Sequence, residues 1–252
     1  MKRIVFIVFS IFGFSVAAKA QIINIEEKRI RAAQDSVHWY GDIEFGASVA
    51  QVQKQVLQFR VAAQVEYKNG KHLWLSLSDY NLLRAGGLAF DNAAFQHLRY
   101  NYKLTEQKTW EVYGQLQNNK LQLIDLRALL GTGLRLRAYK SKSGKNRIYI
   151  GTSLLFEHNK FKSRSTQDYL RLSNYVSLTF QTPTFKFSST TYYQPDISNF
   201  ISARMAIQNS LSFSLSKRLE LKITAKATYD DTVPNGINHL TYSLENGLKL
   251  RL

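Results

Sequence analysis

The chain has 252 residues, a formal net charge of +16 and no cysteine. The lack of cysteine excludes a disulfide scaffold, a lipoprotein anchored through cysteine and any cysteine-ligated metal site. A basic chain often binds nucleic acid, but the export signal at the start of this chain favours acidic lipid headgroups, lipopolysaccharide phosphates or anionic solutes as the counter-charges.

The first twenty residues have the pattern of a cleaved secretory signal. A basic start at Lys2 and Arg3 precedes an apolar run, and Ala18-Lys19-Ala20 forms a small-x-small cleavage site. The apolar run is shorter than the roughly 20 residues that a membrane-spanning helix needs. We therefore predict a signal peptide over residues 1–20, a short periplasmic segment over residues 21–37 and one domain over residues 38–252.

From residue 38 onward, apolar and polar side chains alternate along about twelve segments. Successive side chains of a β-strand point to opposite faces, so this alternation predicts strands with one apolar and one polar face. Most segments are 9–14 residues long, which is enough for the roughly 9–11 residues that a tilted membrane strand needs and more than the roughly 5–6 residues of an average soluble strand. The predicted strands cover residues 38–49, 56–68, 72–83, 94–104, 110–118, 126–138, 147–157, 168–181, 184–193, 200–215, 219–229 and a last segment from Leu240 to the C-terminus.

The sixth segment shows the pattern most clearly. Leu130 and Leu134 lie on one face, and Arg127, Arg135 and Arg137 lie on the other. A membrane strand faces lipid on one side and a polar lumen on the other. We therefore predict an all-β fold, a transmembrane antiparallel up-and-down β-barrel of about twelve strands. Ten or fourteen strands remain alternatives, and an even count places both termini on the periplasmic side.

Aromatic residues occupy the apolar face near the periplasmic ends of several strands. Amphipathic rings prefer the level of the lipid headgroups, so these residues predict a membrane-interface girdle. Its members are Trp39, Tyr67, Tyr102, Trp110, Phe180 and Phe185. The third strand fits the pattern poorly, because an outward face of leucines there puts Trp74 inward and Asp79 outward.

The opposite face of the strands carries many charges. Buried charges must be paired, and inward side chains largely fill a small barrel. A salt-bridged interior is therefore favoured over an open anion-attracting pore. The predicted charge network comprises Arg60, Arg99, Arg127, Arg135, Arg137, Arg171, Arg204, Glu66, Glu111 and Glu245. Gly131 and Gly133 lie on the same face, where we expect a bulky neighbour to pack across the backbone.

No group of residues in the sequence predicts a catalytic or metal site. The five histidines are not spaced as metal ligands. Outer-membrane phospholipase A carries its serine two residues after its histidine on a strand. None of the five histidines of this chain is followed by a serine at that position. We predict no enzymatic activity, no cofactor and no metal. A lipid hydrolase whose residues come from different strands is the remaining enzymatic alternative.

Short motifs resemble a known family. Residues 126–135, Leu-Arg-Ala-Leu-Leu-Gly-Thr-Gly-Leu-Arg, are similar to the Arg-x-x-x-Gly-x-Gly strand of the salt-induced outer-membrane protein family, a domain family of unknown function. Further similar segments are Arg99-Tyr100-Asn101-Tyr102, Val233-Pro234-Asn235-Gly236, Asn246-Gly247-Leu248 and, as in Bacteroidetes versions, Asn24-Ile25-Glu26 with Arg29. The resemblance covers roughly residues 38–252 and implies an outer-membrane barrel without assigned catalytic residues.

Together these features predict a non-enzymatic integral protein of the bacterial outer membrane, related to envelope stress, whose lumen is filled by ion-paired arginines. The alternatives are a narrow anion-preferring pore and a barrel-embedded lipid hydrolase. The expected partners are outer-membrane lipids, lipopolysaccharide and the barrel assembly machinery, with no nucleic acid. The sequence leaves the oligomeric state open.

Overall fold

The computed structural model describes residues 37–51, 55–86, 88–162, 166–216 and 219–250. These residues form twelve β-strands and no helix. Accordingly, none of the described segments is a helix that is long and apolar enough to cross a membrane. The predicted signal peptide and residues 21–36 of the predicted periplasmic segment lie outside the described residues.

The prediction of a twelve-stranded, antiparallel up-and-down fold is confirmed, because each strand pairs with its neighbours in chain order. The first strand begins and the last strand ends on the same side of the sheet. We call this side the terminus end and the opposite side the loop end. The strands are β1 (His38–Gln51), β2 (Gln55–Asn69), β3 (His72–Ala85), β4 (Leu88–Lys103), β5 (Lys108–Asn119), β6 (Ile124–Lys140), β7 (Arg147–Phe161), β8 (Gln167–Gln181), β9 (Phe185–Pro195), β10 (Ala203–Ser214), β11 (Leu219–Asp230) and β12 (Leu240–Leu250).

The strand bounds differ most from the predicted ones at the start of β4. This strand begins at Leu88 rather than near residue 94. A β-bulge between Leu83 and Arg84 shifts the pairing of β3 with β4, and the paired strand continues beyond the bulge. Bulges disrupt the ladder locally without ending it. The regular alternation is lost there, so the periodicity alone could not reveal these residues as a strand.

The sequence pair Asn69-Gly70 predicts a tight hairpin with a type I′ turn at these two residues. The β2–β3 hairpin is present, but its turn lies one residue later. Asn69 pairs with His72, so the two-residue loop consists of Gly70 and Lys71 rather than Asn69 and Gly70. Gly70 has a positive φ of 54°, whereas Lys71 does not share this left-handed conformation. A type I′ turn needs positive φ at both central residues, so the predicted type is wrong.

Contacts between distant strands show that the sheet curves around an interior. Arg127 on β6 and Asp230 on β11 approach to 3.5 Å. Strands lie about 4.8 Å apart, so a flat sheet would separate these strands by roughly 24 Å. Arg204 on β10 similarly reaches Glu157 on β7. We call the enclosed side of the sheet the inner face and the other side the outer face.

The faces of β3 are opposite to the predicted ones. Trp74 is exposed on the outer face, whereas Leu75 and Leu77 are buried and pack with Phe95. The pairing explains the difference, because Trp74 lies opposite the outward Tyr67. Residues directly opposite each other share a face of the sheet. The inner face therefore includes a small apolar cluster beside its charges.

Candidate functional site

Five charged side chains from five strands meet inside the barrel near the loop end. Each side chain is buried, and each position lies on the inner face because of the alternation of its strand. We call this group the Glu157 cluster. It consists of Arg127 on β6, Glu157 on β7, Arg171 on β8, Arg204 on β10 and Asp230 on β11.

Arg204 holds the two carboxylates of the cluster together. Its Nη1 and Nη2 donate to Oε2 and Oε1 of Glu157 at 2.8 and 2.9 Å. Its Nε donates to Oδ2 of Asp230 at 2.8 Å. Two parallel bonds from one guanidinium to one carboxylate form the strongest geometry of this pair. Arg204 therefore joins β7 to β10 and β11 through three charge-assisted hydrogen bonds.

Arg127 completes the cluster from the opposite side. Its Nε donates to Oδ1 of Asn159 at 2.7 Å. It also lies 3.5 Å from both Glu157 and Asp230. Asn159 in turn donates to Oε1 of Glu157 at 2.6 Å. Glu157 thus accepts hydrogen bonds from Arg204 and Asn159 and lies beside Arg127. A buried carboxylate needs such partners to compensate its charge.

Arg171 and Thr232 connect the cluster to the loop after β11. Arg171 lies 3.8 Å from Glu157 and donates to the carbonyl oxygen of Gln194 at 3.2 Å and to Oγ1 of Thr232 at 3.4 Å. The backbone N–H and the hydroxyl of Thr232 donate to Oδ1 of Asp230 at 3.0 and 2.7 Å. The start of this loop is therefore bonded directly to the buried charges.

A second buried ion pair lies nearer the terminus end. Arg99 donates to Oε2 of Glu111 at 2.8 Å and to Nε2 of His97 at 3.2 Å. The guanidinium also stacks over the ring of Tyr113, 4.3 Å from its centroid. Glu111 compensates the charge of the buried Arg99 guanidinium, and the ring of Tyr113 packs against its flat face.

The remaining charged residues named from the sequence form separate contacts. Arg60 pairs with Asp79 at 3.1 Å, so Asp79 lies on the inner face and its predicted outward position is wrong. Glu66 is fully buried and lies 3.5 Å from His38. Glu245 accepts from Lys226 at 2.9 Å. The inner charges thus belong to several local pairs and one larger cluster.

Glycines on β6 allow a tyrosine to cross the inner face. A methyl group at Gly131 would overlap the ring of Tyr113. The Tyr113 hydroxyl reaches Oγ of Ser153 on β7 at 2.8 Å. A methyl group at Gly133 would likewise overlap Ser153 and the backbone oxygen of Thr152. The missing side chains therefore let Tyr113 extend across β6 and let β7 approach closely.

The terminus end of the interior contains a cavity of about 410 Å³. We call it the basic vestibule, because seven cationic side chains and one carboxylate, that of Glu106, line its described part. Arg135 stacks over the ring of Tyr149 at 3.6 Å, and Arg137 lies 3.5 Å from Glu106. The seven cations are Lys68, Lys71, Lys103, Arg135, Arg137, Lys140 and Arg147.

Glu106 lies in the β4–β5 turn at the rim of the vestibule. The hydrogen bond and charge of Lys103 lower the pKa of its carboxyl below the ordinary glutamate value, and Arg137 contributes in the same direction. The Glu106 carboxylate thus pairs with two cations at the rim, Lys103 and Arg137. Arg135 and Arg137 line the vestibule at the terminus end. They therefore belong to a different site from the arginines of the Glu157 cluster, which lies near the loop end.

The six aromatic residues named as a girdle all lie at the terminus end. They contact one another in part: the ring centroids of Trp39 and Tyr67 are 4.5 Å apart, and those of Phe180 and Phe185 are 5.9 Å apart. Trp110 is exposed on the outer face, and Tyr102 pairs with it across the strands. That these rings mark a lipid interface stays a prediction.

Glu157 and Asp230 are the central carboxylates that the sequence analysis missed. The signal that could have found them is the alternation itself. Ile148, Ile150, Leu154 and Phe156 of β7 face outward, which leaves Glu157 inward, and the outward Tyr229 leaves Asp230 inward. Across the described ranges, no three His, Asp or Glu side chains are grouped as metal ligands.

Three of the solved structures that are similar to the chain are outer-membrane proteins. The chain is similar to the NanC porin, with 13% identity, a TM-score of 0.50 and coverage of 83% of this chain and 99% of the porin chain. It is also similar to OccK11 (OpdR) from Pseudomonas aeruginosa, with 8% identity, 83% coverage of both chains and a TM-score of 0.40. A bacterial polysaccharide outer membrane secretin has 12% identity, 85% coverage of both chains and a TM-score of 0.45.

At these identities the NanC likeness shows the fold alone. No curated protein matches the chain in sequence. A family model described as "Protein of unknown function, DUF481" matches residues 43–249, which is most of the chain. The chain therefore belongs to this uncharacterised family, in agreement with the resemblance drawn from its motifs.

Proposed function

We propose that the protein is a non-enzymatic integral β-barrel of the bacterial outer membrane whose interior is closed near the loop end. The observation that carries this proposal is the buried, bidentate pair between Arg204 and Glu157, which links β10 to β7 across the interior. In this account the barrel is a structural component of the envelope rather than a conduit.

The exposed apolar outer face supports a place in the membrane. Trp39, Ile43 and Leu130 are 72%, 77% and 64% exposed, and many large apolar side chains of the other strands are exposed as well. Soluble monomers rarely expose apolar surface on this scale. In an outer-membrane barrel, lipid covers such a belt, and an even strand count places the terminus end in the periplasm.

Burial of the Glu157 cluster supports a closed interior. An ion that crosses this layer would have to separate desolvated ion pairs, because Glu157 and Arg171 have no exposed surface and Arg204 has very little. Separating a buried pair is strongly unfavourable, since it leaves an uncompensated charge behind. Open pores instead keep the charges of their constriction in contact with water.

A narrow anion-preferring pore is the second candidate. The basic vestibule favours it, because seven cations and one carboxylate would attract anions to the terminus end. The two candidates differ only in whether a water path continues past the Glu157 cluster.

Two measurements on the full-length protein test the proposal. A membrane barrel should float with outer membranes and migrate differently in electrophoresis when it is not heated; a freely soluble periplasmic product would contradict the membrane location. In planar bilayers the folded protein should show no conductance. Stepwise conductance with anion selectivity would instead establish the pore.

A further inference from the structure

We propose that the basic vestibule is a binding site for a small ligand that carries several oxyanion groups. The ligand would enter and leave through the terminus end. This inference goes beyond the closed barrel proposed above, because it gives the protein a specific ligand class and a direction of access.

The vestibule carries a large excess of positive charge. Seven cationic side chains surround about 410 Å³ of space, and Glu106 is the one carboxylate among the described lining residues. Cations so close together repel one another, and partial enclosure by protein strengthens that repulsion relative to bulk water. A ligand with several negative charges would relieve it. A single chloride or phosphate would neutralise only part of the excess.

Contacts with neighbouring side chains position two arginines of the vestibule. Stacking on Tyr149 fixes the plane of the Arg135 guanidinium, and Glu106 holds Arg137 at the rim. Nε of Arg147 is buried and has no hydrogen-bond partner among the described residues. A buried donor without a partner is unfavourable. An oxyanion beside Arg147 would satisfy this donor, and the planar guanidinium suits phosphate, sulfate and carboxylate groups.

The size and polarity of the cavity indicate the kind of molecule. Its volume lies within the roughly 300–1,000 Å³ that is typical of small-molecule sites. Asn101, Ser177 and Thr179 also line it and offer neutral hydrogen bonds. These groups suit a polar ligand, such as a polyphosphorylated or sulfated sugar or a short uronic acid chain, rather than an acyl chain.

The rest of the interior explains why the site has one entrance. Tyr113 crosses the inner face above the vestibule and bonds to Ser153, and the Glu157 cluster lies beyond it. A bound molecule therefore meets a filled interior on one side and the terminus end on the other. The vestibule should consequently behave as a saturable receptor site.

Calorimetric titration of the folded full-length protein in detergent tests the binding. The probes are inositol hexakisphosphate, sucrose octasulfate and trigalacturonate, with uncharged sucrose as the control. We expect saturable, one-to-one binding of at least one polyanion and at least about tenfold weaker binding when the salt concentration is raised from 50 to 200 mM. The probe that binds best identifies the oxyanion. Absence of saturable binding by all three polyanions at low salt would overturn the proposal.

Three variants test whether the vestibule is the site. Arg147→Gln should weaken binding by about tenfold or more, because it removes a charge-assisted hydrogen bond. Lys160→Gln removes the same charge from the exposed outer face at the loop end and should leave the affinity unchanged. Glu106→Gln should tighten binding, because it removes the one carboxylate found among the described lining residues.

The pattern of the variants distinguishes a site from general attraction to a basic protein. Equal weakening by Arg147→Gln and Lys160→Gln would overturn the proposal, and so would unchanged affinity in Arg147→Gln. Heat-dependent migration verifies that each variant is folded. The single entrance rests on the closed barrel proposed above, whereas the binding itself does not. An open pore with no saturable binding and a silent barrel with tight binding are separate outcomes.

Discussion

Arg127 on β6 and Asp230 on β11 lie 3.5 Å apart although five strand positions separate them in the sheet. Asp230 also accepts a hydrogen bond from Arg204. One carboxylate at the end of β11 therefore contacts two arginines that come from opposite sides of the interior. These contacts connect the rolled sheet across its own interior and make the Glu157 cluster a structural element of the barrel.

The stability of the barrel should depend on Glu157. Glu157→Gln keeps the shape of the side chain but removes one of the two carboxylates that balance three buried arginines. Loss of one partner from a buried ion pair typically costs about 3–5 kcal/mol. We expect a decrease of this size in the free energy of unfolding, measured by urea titration of the protein in lipid vesicles.

Asp168→Asn provides the matched control for this change. Oδ1 of Asp168 lies 2.7 Å from Nδ1 of His158, but both side chains are substantially exposed. Exposed pairs contribute at most about 1 kcal/mol. Equal effects of Glu157→Gln and Asp168→Asn would show that the buried cluster adds no special stability.

Gly131 should be intolerant of a side chain. In Gly131→Ala the new methyl group would displace Tyr113, whose hydroxyl would then lose its bond to Ser153. We expect a loss of about 1–3 kcal/mol in unfolding free energy, as is typical of overpacking. The double variant with Tyr113→Ala should lose less than the sum of the two single variants, because the clash is then absent.

Gly46→Ala is the appropriate comparison for Gly131→Ala. A Cβ at Gly46 would meet no atom within 4 Å, so the stability should change by no more than about 0.5 kcal/mol. Additive effects of Gly131→Ala and Tyr113→Ala would contradict the packing of this ring across β6.

The strand order and most of the inward and outward faces can be predicted from the sequence. The faces of β3 could have been predicted as well, from the pairing in the β2–β3 hairpin. In a hairpin with a two-residue loop, each odd-numbered residue of one strand lies opposite an even-numbered residue of the other strand. Because Tyr67 faces outward and paired residues share a face, the even-numbered residues of β3 must also face outward. This rule places Trp74 outward and Leu75 inward, as the structure has them. The leucines of β3 suggest the wrong outward face, because Leu75 and Leu77 form an apolar patch with Phe95 inside the barrel.

The partners of the inner charges could not be predicted in the same way. Alternation places Arg127 and Asp230 on the inner face, but their contact depends on how far the sheet rolls and how the strands are staggered. These properties arise from the hydrogen-bond register of all twelve strands. The bulges between Ile124 and Leu126 and between Arg137 and Tyr139 change that register locally, and periodicity does not reveal them.

The three tryptophans of the chain should report the position of the membrane interface. Trp39, Trp74 and Trp110 are all exposed, and all lie near the terminus end of their strands. In vesicles we expect lipids brominated near the headgroup to quench their fluorescence more than lipids brominated near the bilayer centre. Equal quenching by both lipids, or none by either, would contradict an interfacial girdle.

The rim of the vestibule should titrate at low pH. Lys103 and Arg137 lower the pKa of Glu106, so the ion pair contributes above the ordinary glutamate pKa and is lost as the pH falls through the lowered value. Carbon NMR of the labelled carboxyl should give a midpoint below that of a free glutamate. Lys103→Gln should raise the midpoint, and an unchanged midpoint would exclude Lys103 as the cause.

Access to a single thiol across the barrel tests the closed interior most directly. The chain has no cysteine, so Thr109→Cys, in the lining of the basic vestibule, provides a unique site. In vesicles that contain the protein in one orientation, a small charged methanethiosulfonate should label Cys from the terminus end only. Arg204→Ala in the same background should open the layer and allow labelling from both ends. Labelling from the loop end with the Glu157 cluster intact would contradict the closed barrel.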